Sequence, residues 1–405
     1  MSTSEIRNNW TARKGLRYEF LHVNDNTWLT SLRTIEQLGV PGLEGDAWRV
    51  ELEDSPTGVS EAAMKVFRSD FDMEHLLNII ANHDDKSEIY ELLPVAARSF
   101  FAEAKFSFVH PHVIMPHAYG QIANRNVILM PVIEGDNLTE YIQKNPDLNT
   151  AHRMKLCREL CTAVQALHEE GGYLHNDIKP DNIMVKVDES GVPSITLIDM
   201  GFSCSIPDVE KVYGEVKKSV GTEGYIAPEV RRGSARWVSE ASDVWSVGCT
   251  LFFILTSLEL VSGVLDHKSE ESQNELYQRL LDNMNEPLVK SDRMQRAGIN
   301  SEQIAEGLEV LLTPSLKSRK PKNRPLQKMI ELCSEDVKPT PSKPEPEPEP
   351  VPEILPVPEL PEFSDELVKV HLRPEEGMKQ IIVLTKRHSA ISIGWHDIIG
   401  IKYRQ

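Results

Sequence analysis

An α+β fold is predicted for this chain, with strands gathered early and helices later. Three observations predict it. Short β-type stretches crowd residues 34 to 68, including Trp48–Leu52 and Ala62–Phe67. Helical patterning covers Met73 to Phe106 and dominates again from Ala151 onward. Near residue 338 the composition breaks into an acidic proline ladder, Lys343-Pro-Glu-Pro-Glu-Pro-Glu-Pro-Val-Pro, which cannot form a packed core.

Bulk properties bound the problem. With 405 residues and an apolar fraction of 40%, the chain can bury a sizeable core and hold two or three compact units. Its net charge of −18 argues against general binding to nucleic acid or to anionic membranes. Cys157, Cys161, Cys204, Cys249 and Cys333 form no C-x-x-C pair, as expected of free thiols in a reducing compartment. The start, Met-Ser-Thr-Ser-Glu, lacks the basic and apolar regions of a secretory signal. No apolar run reaches ~18 residues, so no membrane span is expected, and Val247–Leu255 reads as a buried helix. A cytoplasmic location is expected, inside a host cell if the protein is a secreted effector.

Taken in order, residues 1–30 are mixed and polar and read as an N-terminal extension. His110-Pro111-His112 ends the first helical region, because a residue before proline avoids helical backbone. Val127–Val132 reads as a strand and Glu134-Gly135-Asp136-Asn137 as a turn or linker. In Ala151–His168, Met154, Cys157, Leu160, Cys161, Val164 and Leu167 recur at helical spacing and give one apolar face. Ile183–Val187 and Ser194–Ile198 read as a hairpin turning at Asp188-Glu189-Ser190-Gly191, which would hold Asn182 and Asp199 side by side. Beyond a Pro/Glu-rich linker, 337–361, a short module, 362–405, regains apolar content, with strands expected at Gln380–Leu384, Ala390–Ile393 and Ile398–Ile401.

The chemistry concentrates in two strings. His175-Asn-Asp-Ile-Lys-Pro-Asp-Asn182 offers a carboxylate, Asp177, able to take a hydroxyl proton, and a lysine, Lys179, able to neutralise phosphate charge. Asn182 and, in Asp199-Met200-Gly201, Asp199 are hard oxygen ligands suited to magnesium. Together, in this order and spacing, the strings resemble the catalytic core of the eukaryotic-like serine/threonine protein kinases. Lys179-Pro180 and Gly221-Thr222-Glu223-Gly224-Tyr225-Ile226-Ala227-Pro228-Glu229 point to the serine/threonine branch.

The resemblance implies a two-lobed fold over 31–336, with a small β-rich N-lobe and a large helical C-lobe. It implies ATP and Mg2+, and a protein substrate with a Ser or Thr acceptor. By motif position, Asp177, Lys179 and Thr222 take the catalytic roles, and Asn182 and Asp199 hold the metal. Lys65 in Ala63-Met64-Lys65-Val66-Phe67 would contact the ATP phosphates and pair with a helix glutamate, assigned to Glu103 with Glu88 and Glu91 as alternatives. Ala63, Met130, Ile133 and Met184 would line the adenine pocket, with Met130 as gatekeeper. Gly39, Gly42 and Gly45 occupy the place of the glycine-rich loop, but Pro41 sits among them and has no N–H to offer a phosphate. Glu229 would be anchored by a distant arginine, assigned to Arg324, and Asp243 would cap the catalytic loop. Where many members carry arginine before the catalytic aspartate, this chain has the uncharged Asn176. The basic run Lys317, Arg319, Lys320, Lys322 and Arg324 reads either as a solvated loop before the last helix or as a nuclear-localisation or anion-docking patch.

The alternative is a pseudokinase scaffold on the same fold, binding partners or nucleotide without phosphotransfer, for which Pro41 argues. A small-molecule kinase of related fold would lack the Gly-Thr-x-x-Tyr-x-Ala-Pro-Glu segment. The tail or the proline-rich linker is a further candidate for partner binding.

Overall fold

The computed structural model describes residues 12, 14–22, 29–39, 45–53, 59–67, 95–122, 125–209, 220–231, 238–260, 301–313 and 316–335. The predicted linker, the C-terminal module, Gly42 and Met73 to Pro94 of the first helical region lie outside the described residues.

Six antiparallel strands form a closed barrel in the order β1-β2-β3-β4-β6-β5. They are β1 (Arg17–His22), β2 (Leu29–Leu38), β3 (Gly45–Glu53), β4 (Glu61–Phe67), β5 (Ala118–Ile122) and β6 (Arg125–Met130). The register of β2 on β3 runs from Ser31↔Glu53 to Leu38↔Ala47 and shifts between Thr34 and Glu36. Strand alternation sorts the faces: Ala62, Met64 and Val66 of β4 point into the barrel core with Leu32, Trp48, Val50, Val127 and Leu129. Ala63 and Lys65 therefore point the other way, toward the second lobe. Closure comes from β1, which pairs with β2 (Arg17↔Arg33) and with β5 (Leu21↔Gln121, His22↔Gly120). The segment read as an N-terminal extension thus supplies a strand of the sheet, and Ala12 before it is buried in the barrel core.

Helix α1 (Val95–Lys105) crosses beneath the barrel. Phe100 sits edge-on to Phe67, centroids 5.4 Å apart, and to Tyr119, 6.3 Å apart. Such aromatic pairs add about 0.5–1.5 kcal/mol each beyond their burial, and here they fix the helix that carries Glu103.

The second lobe is helical. The strand β6 ends at Met130, two residues short of the expected Val132, and residues 131–135 cross to the larger lobe. Asp136–Asn137, expected in a turn, is a short strand, β7, paired with β9 through Asp136↔Val185 and Asn137↔Met184. The side chain of Asn137 then accepts from Glu140 N at 2.9 Å and starts α2 (Leu138–Lys144). Helix α3 (Thr150–Glu169) buries the predicted face: Met154, Cys157, Leu160, Cys161, Val164 and Leu167 are all inaccessible to solvent. β8 (Tyr173–Leu174) and β11 (Cys204–Ser205) pair across the site, and β9 (Ile183–Val187) with β10 (Pro193–Leu197) form the predicted hairpin. Its turn is tied by Asp188, whose carboxylate accepts from Ser190 N and Val192 N, both at 2.9 Å.

After the four-residue α4 (Pro228–Arg231) comes α5 (Glu240–Thr256), apolar all round and buried from Ala241 to Leu255, as a core helix must be. The lobe is completed by α6 (Glu302–Leu311), the short α7 (Leu316–Arg319) and α8 (Pro325–Glu335). All five cysteines are free and buried. No described helix is long and apolar enough to cross a membrane. The whole is a two-lobed α+β architecture.

Candidate active site

Three separate stretches of chain meet where the barrel faces the helical lobe. From β4, Lys65 Nζ reaches Glu103 Oε1 of α1 and lies 3.0 Å from Asp199 Oδ1, beyond β10. Glu103 is buried, and its one charge is compensated by the lysine, as a buried carboxylate requires. Burial works against the charge on Asp199, but the ammonium of Lys65 and its hydrogen bond prevail and hold this carboxyl well below the usual carboxylate range. Asp199 has φ 64°, a left-handed backbone uncommon outside glycine, and its carboxylate accepts from Gly201 N at 3.3 Å. Asn176, in the facing loop, has φ 65°. Two of the four described non-glycine residues with positive φ therefore lie at this site, where backbone strain of this kind collects.

The second group surrounds Asp177, which is buried. Its Oδ1 accepts from Thr222 Oγ1 at 2.7 Å, and its Oδ2 accepts from Asn182 Nδ2 at 2.9 Å and lies 3.0 Å from Lys179 Nζ. Lys179 Nζ in turn donates to Thr222 Oγ1 at 2.7 Å. Thr222 thus closes a triangle with the carboxylate and the ammonium. Asn182 also donates to Asp177 O at 2.9 Å, which commits its amide nitrogen and leaves the oxygen of the same amide as the atom it can offer a cation. The hairpin sets Asn182 beside Asp199, because Ile198 N donates to Asn182 O at 2.9 Å.

The loop bearing Asp177 is held from below by Asp243 of α5. Its two carboxylate oxygens accept from His175 N at 2.8 Å and Asn176 N at 2.9 Å, and Oδ2 lies 2.9 Å from His168 Nε2. Burial opposes this charge too, but the hydrogen bond and charge of His168 and the backbone donors keep the carboxyl below its ordinary value. Asn176 adds a tie that its sequence position did not reveal: its amide donates to Phe202 O at 2.9 Å, linking the loop to the segment after Asp199.

Of the adenine-pocket residues, Ala63 and Met130 face each other in adjacent strands, and Met184 lies in β9 opposite Asn137. Ile133 is half-buried in the crossing segment and packs on the main core. Gly39 follows β2 with φ +64° and open space where a Cβ would stand, whereas Gly45 opens β3 so close to β4 that a Cβ would collide with the Val66 carbonyl. Packing alone therefore requires glycine at 45.

One assignment is corrected. Glu229 is anchored by Arg319, not Arg324. Arg319 Nη1 donates to Glu229 Oε1 at 3.0 Å and Nη2 to Oε2 at 2.6 Å, while Nε donates to Thr313 O at 2.8 Å. The side chain is fully buried, with its guanidinium 5.5 Å from the Trp245 ring. Arg324 is exposed and follows a 3-10 turn with φ 49°. The two arginines share one basic run, and sequence spacing does not say which turns inward. The short helix α7, ending at Arg319, decides it.

Among the described residues, no group of three or more His, Cys, Asp or Glu side chains could hold a metal ion by itself. Asn182 and Asp199 form a pair of hard oxygen donors, which suits magnesium, an ion that keeps waters and phosphate oxygens as its other ligands.

Known proteins resemble the chain in sequence. The chain is 30% identical over 147 residues to human ribosomal protein S6 kinase alpha-4, covering 36% of this chain and 18% of that protein. It is 28% identical over 224 residues to the probable serine/threonine-protein kinase PknB of Lactococcus lactis, 55% of this chain and 31% of the other. Similarity to the serine/threonine-protein kinase RAD53 of Saccharomyces cerevisiae is 27% over 185 residues, 42% and 20% of the two chains. The aligned stretch spans under a third of the length of each of these relatives. The family model described as the protein kinase domain matches residues 85–333, so Lys65 and Gly39 to Gly45 precede the matched span. That match covers more than half of the 405 residues, and the chain belongs to the protein kinase domain family.

Proposed function

We propose that this chain is an active serine/threonine protein kinase, moving the γ-phosphoryl group of ATP to a hydroxyl of a protein substrate. The observation that carries the reading is the meeting of Lys65, Glu103 and Asp199 with a complete Asp177–Lys179–Thr222–Asn182 cluster. Lys65, positioned by Glu103, is placed to hold phosphate oxygens. Asp177 is placed to orient the acceptor hydroxyl and take its proton, and Lys179 to neutralise the oxygens of the group in flight. The hydroxyl of Thr222 sits within hydrogen-bond distance of both Asp177 and Lys179, which supports the reading that an acceptor serine or threonine would meet the same two groups. Asn182 and Asp199 are the residues that would hold magnesium, which when bound would supply positive charge to offset that of the phosphates. Catalysis would rest on positioning and charge stabilisation.

The second reading, a scaffold without phosphotransfer, is favoured by Pro41 and by the packing reason for Gly45. One experiment separates the two. Purified protein is incubated with labelled ATP and magnesium, and phosphosites are mapped by mass spectrometry. Incorporation is expected in the natural chain. In Lys65→Met and in Asp199→Ala it is expected to fall on the order of 10²-fold or more while both variants stay folded. Undiminished transfer in both variants overturns the site assignment, and no transfer in the natural chain favours the scaffold.

A further inference from the structure

Four cations stand outward on one built turn. Lys317, Lys320, Lys322 and Arg324 are exposed, whereas Arg319 of the same run is buried against Glu229. The backbone that presents them is fixed. Arg319 anchors its start in the core, and Asn323 Nδ2 donates back to Lys317 O and, at 3.3 Å, to Ser318 O. Asn323 N donates to Lys320 O at 2.9 Å and Arg324 N to Pro321 O at 2.8 Å. Among the described residues, none of the four outward cations makes an ion pair. In a chain of net charge −18, an unneutralised basic surface on a rigid mount is the exception.

The same chain carries the complement nearby. Glu345, Glu347, Glu349 and Glu353 alternate with proline, beginning ten residues after the end of α8 at Glu335. Helix α8 starts directly after Arg324 and carries the chain roughly 16 Å away, at about 1.5 Å per residue. The nine residues 336–344 span up to about 28 Å when extended, enough to bring Glu345 back. Carboxylates two residues apart on an extended proline ladder are roughly 6 Å apart along its axis. The lysines at 320 and 322 are likewise two residues apart on the turn. The short tether gives the ladder an effective concentration on the order of millimolar, far above that of a free acidic peptide.

We propose that the Pro–Glu ladder, residues 345–353, docks in cis on the basic turn formed by Lys317, Lys320, Lys322 and Arg324. It thereby covers the chain's own exposed basic surface. The contact is ionic and exposed, so it weakens as salt rises.

The test uses the full chain. Zero-length carbodiimide coupling at low salt, with peptide mass spectrometry on a mixture of isotope-labelled and unlabelled protein, is expected to join Lys317, Lys320 or Lys322 to Glu345–Glu353 within one molecule. Salt on the order of 1 M, where the screening length is about 3 Å, is expected to abolish these links. In parallel, acetylation of Lys320 and Lys322 is expected to run about 3-fold faster in a variant carrying Glu345→Gln, Glu347→Gln, Glu349→Gln and Glu353→Gln. The four changes keep side-chain size and remove only charge, and melting of the variant alongside the natural chain checks that its folding is unaltered. Equal acetylation rates overturn the proposal. So do couplings spread evenly over Lys14, Lys186 and Lys328, or links found only between molecules.

Discussion

The barrel and the helical lobe satisfy their polar groups in different ways. In the barrel, backbone donors and acceptors meet from strand to strand, and the core inside is small: Leu32, Trp48, Val50, Met64, Val127 and Leu129 with a few smaller residues. Its ion pairs lie outside, such as Arg49 with Glu36, Glu61 and Glu134. In the helical lobe, the segments that carry chemistry are loops, whose backbone groups have no ladder. Buried side chains hold them instead. Asp243 holds the loop at 175–177, Arg319 holds Glu229, and Arg153 donates to Leu148 O at 3.0 Å, Pro146 O at 3.2 Å and Ile254 O. Single substitutions should therefore damage the helical lobe far more than the barrel, where the load is shared among many weak terms.

The largest effect is expected at Arg319. Arg319→Ala removes both guanidinium hydrogen bonds from the buried Glu229 carboxylate and should destabilise the protein by about 3–5 kcal/mol in denaturant unfolding. Arg324→Ala should change stability by less than about 0.5 kcal/mol. Equal effects would show that the two arginines share the anchor. The barrel's counterpart is removal of residues 1–22, which deletes β1 and the Thr34–Leu16 and Gly15–Thr34 backbone bonds. Hydrogen bonds of this kind contribute about 0.5–1.5 kcal/mol each, so a loss of a few kcal/mol is expected, read as earlier melting. A truncated chain that melts like the full one would show β1 to be an accessory.

A smaller effect, with a pH signature, is expected at Asp243. Its carboxyl is held below the unfolded value, so its contribution is complete above about pH 4 and disappears as pH falls through the depressed native value. In acid titrations of stability, Asp243→Asn should be less stable near neutrality and should show a shallower acid limb. Parallel limbs would mean that this carboxyl does not govern acid unfolding. The smallest effect belongs to Arg49→Ala. Its partners are largely exposed, so about 0–1 kcal/mol is expected, and less at high salt.

The same contrast explains what the sequence revealed. The helical lobe was legible because its chemistry comes in contiguous strings and its helices repeat apolar residues on a fixed period, as Met154 to Leu167 do. The hairpin was legible because β-type runs flank Asp188-Glu189-Ser190-Gly191. The barrel was less so. In β1, six residues include Arg17, Glu19 and His22, a polar run that does not alternate cleanly, and its closure of the barrel depends on β5, about a hundred residues on. Long-range pairing leaves no local trace. Arg319 escaped for a related reason, since its inward direction is set by α7 and by Glu229, ninety residues away. Lys65, Glu103 and Asp199 were named from motif order, and the structure brings them together.

Closure of the barrel has a consequence for recognition. A sheet with two open margins offers unpaired N–H and C=O groups, and a foreign peptide can add to them as one more strand. With β1 seated between β2 and β5, the described strands close on themselves and leave neither end strand of an open sheet. Partners of the small lobe must then be recognised by shape and by charge on its outer side chains, and self-association by strand exchange would first require β1 to leave its place.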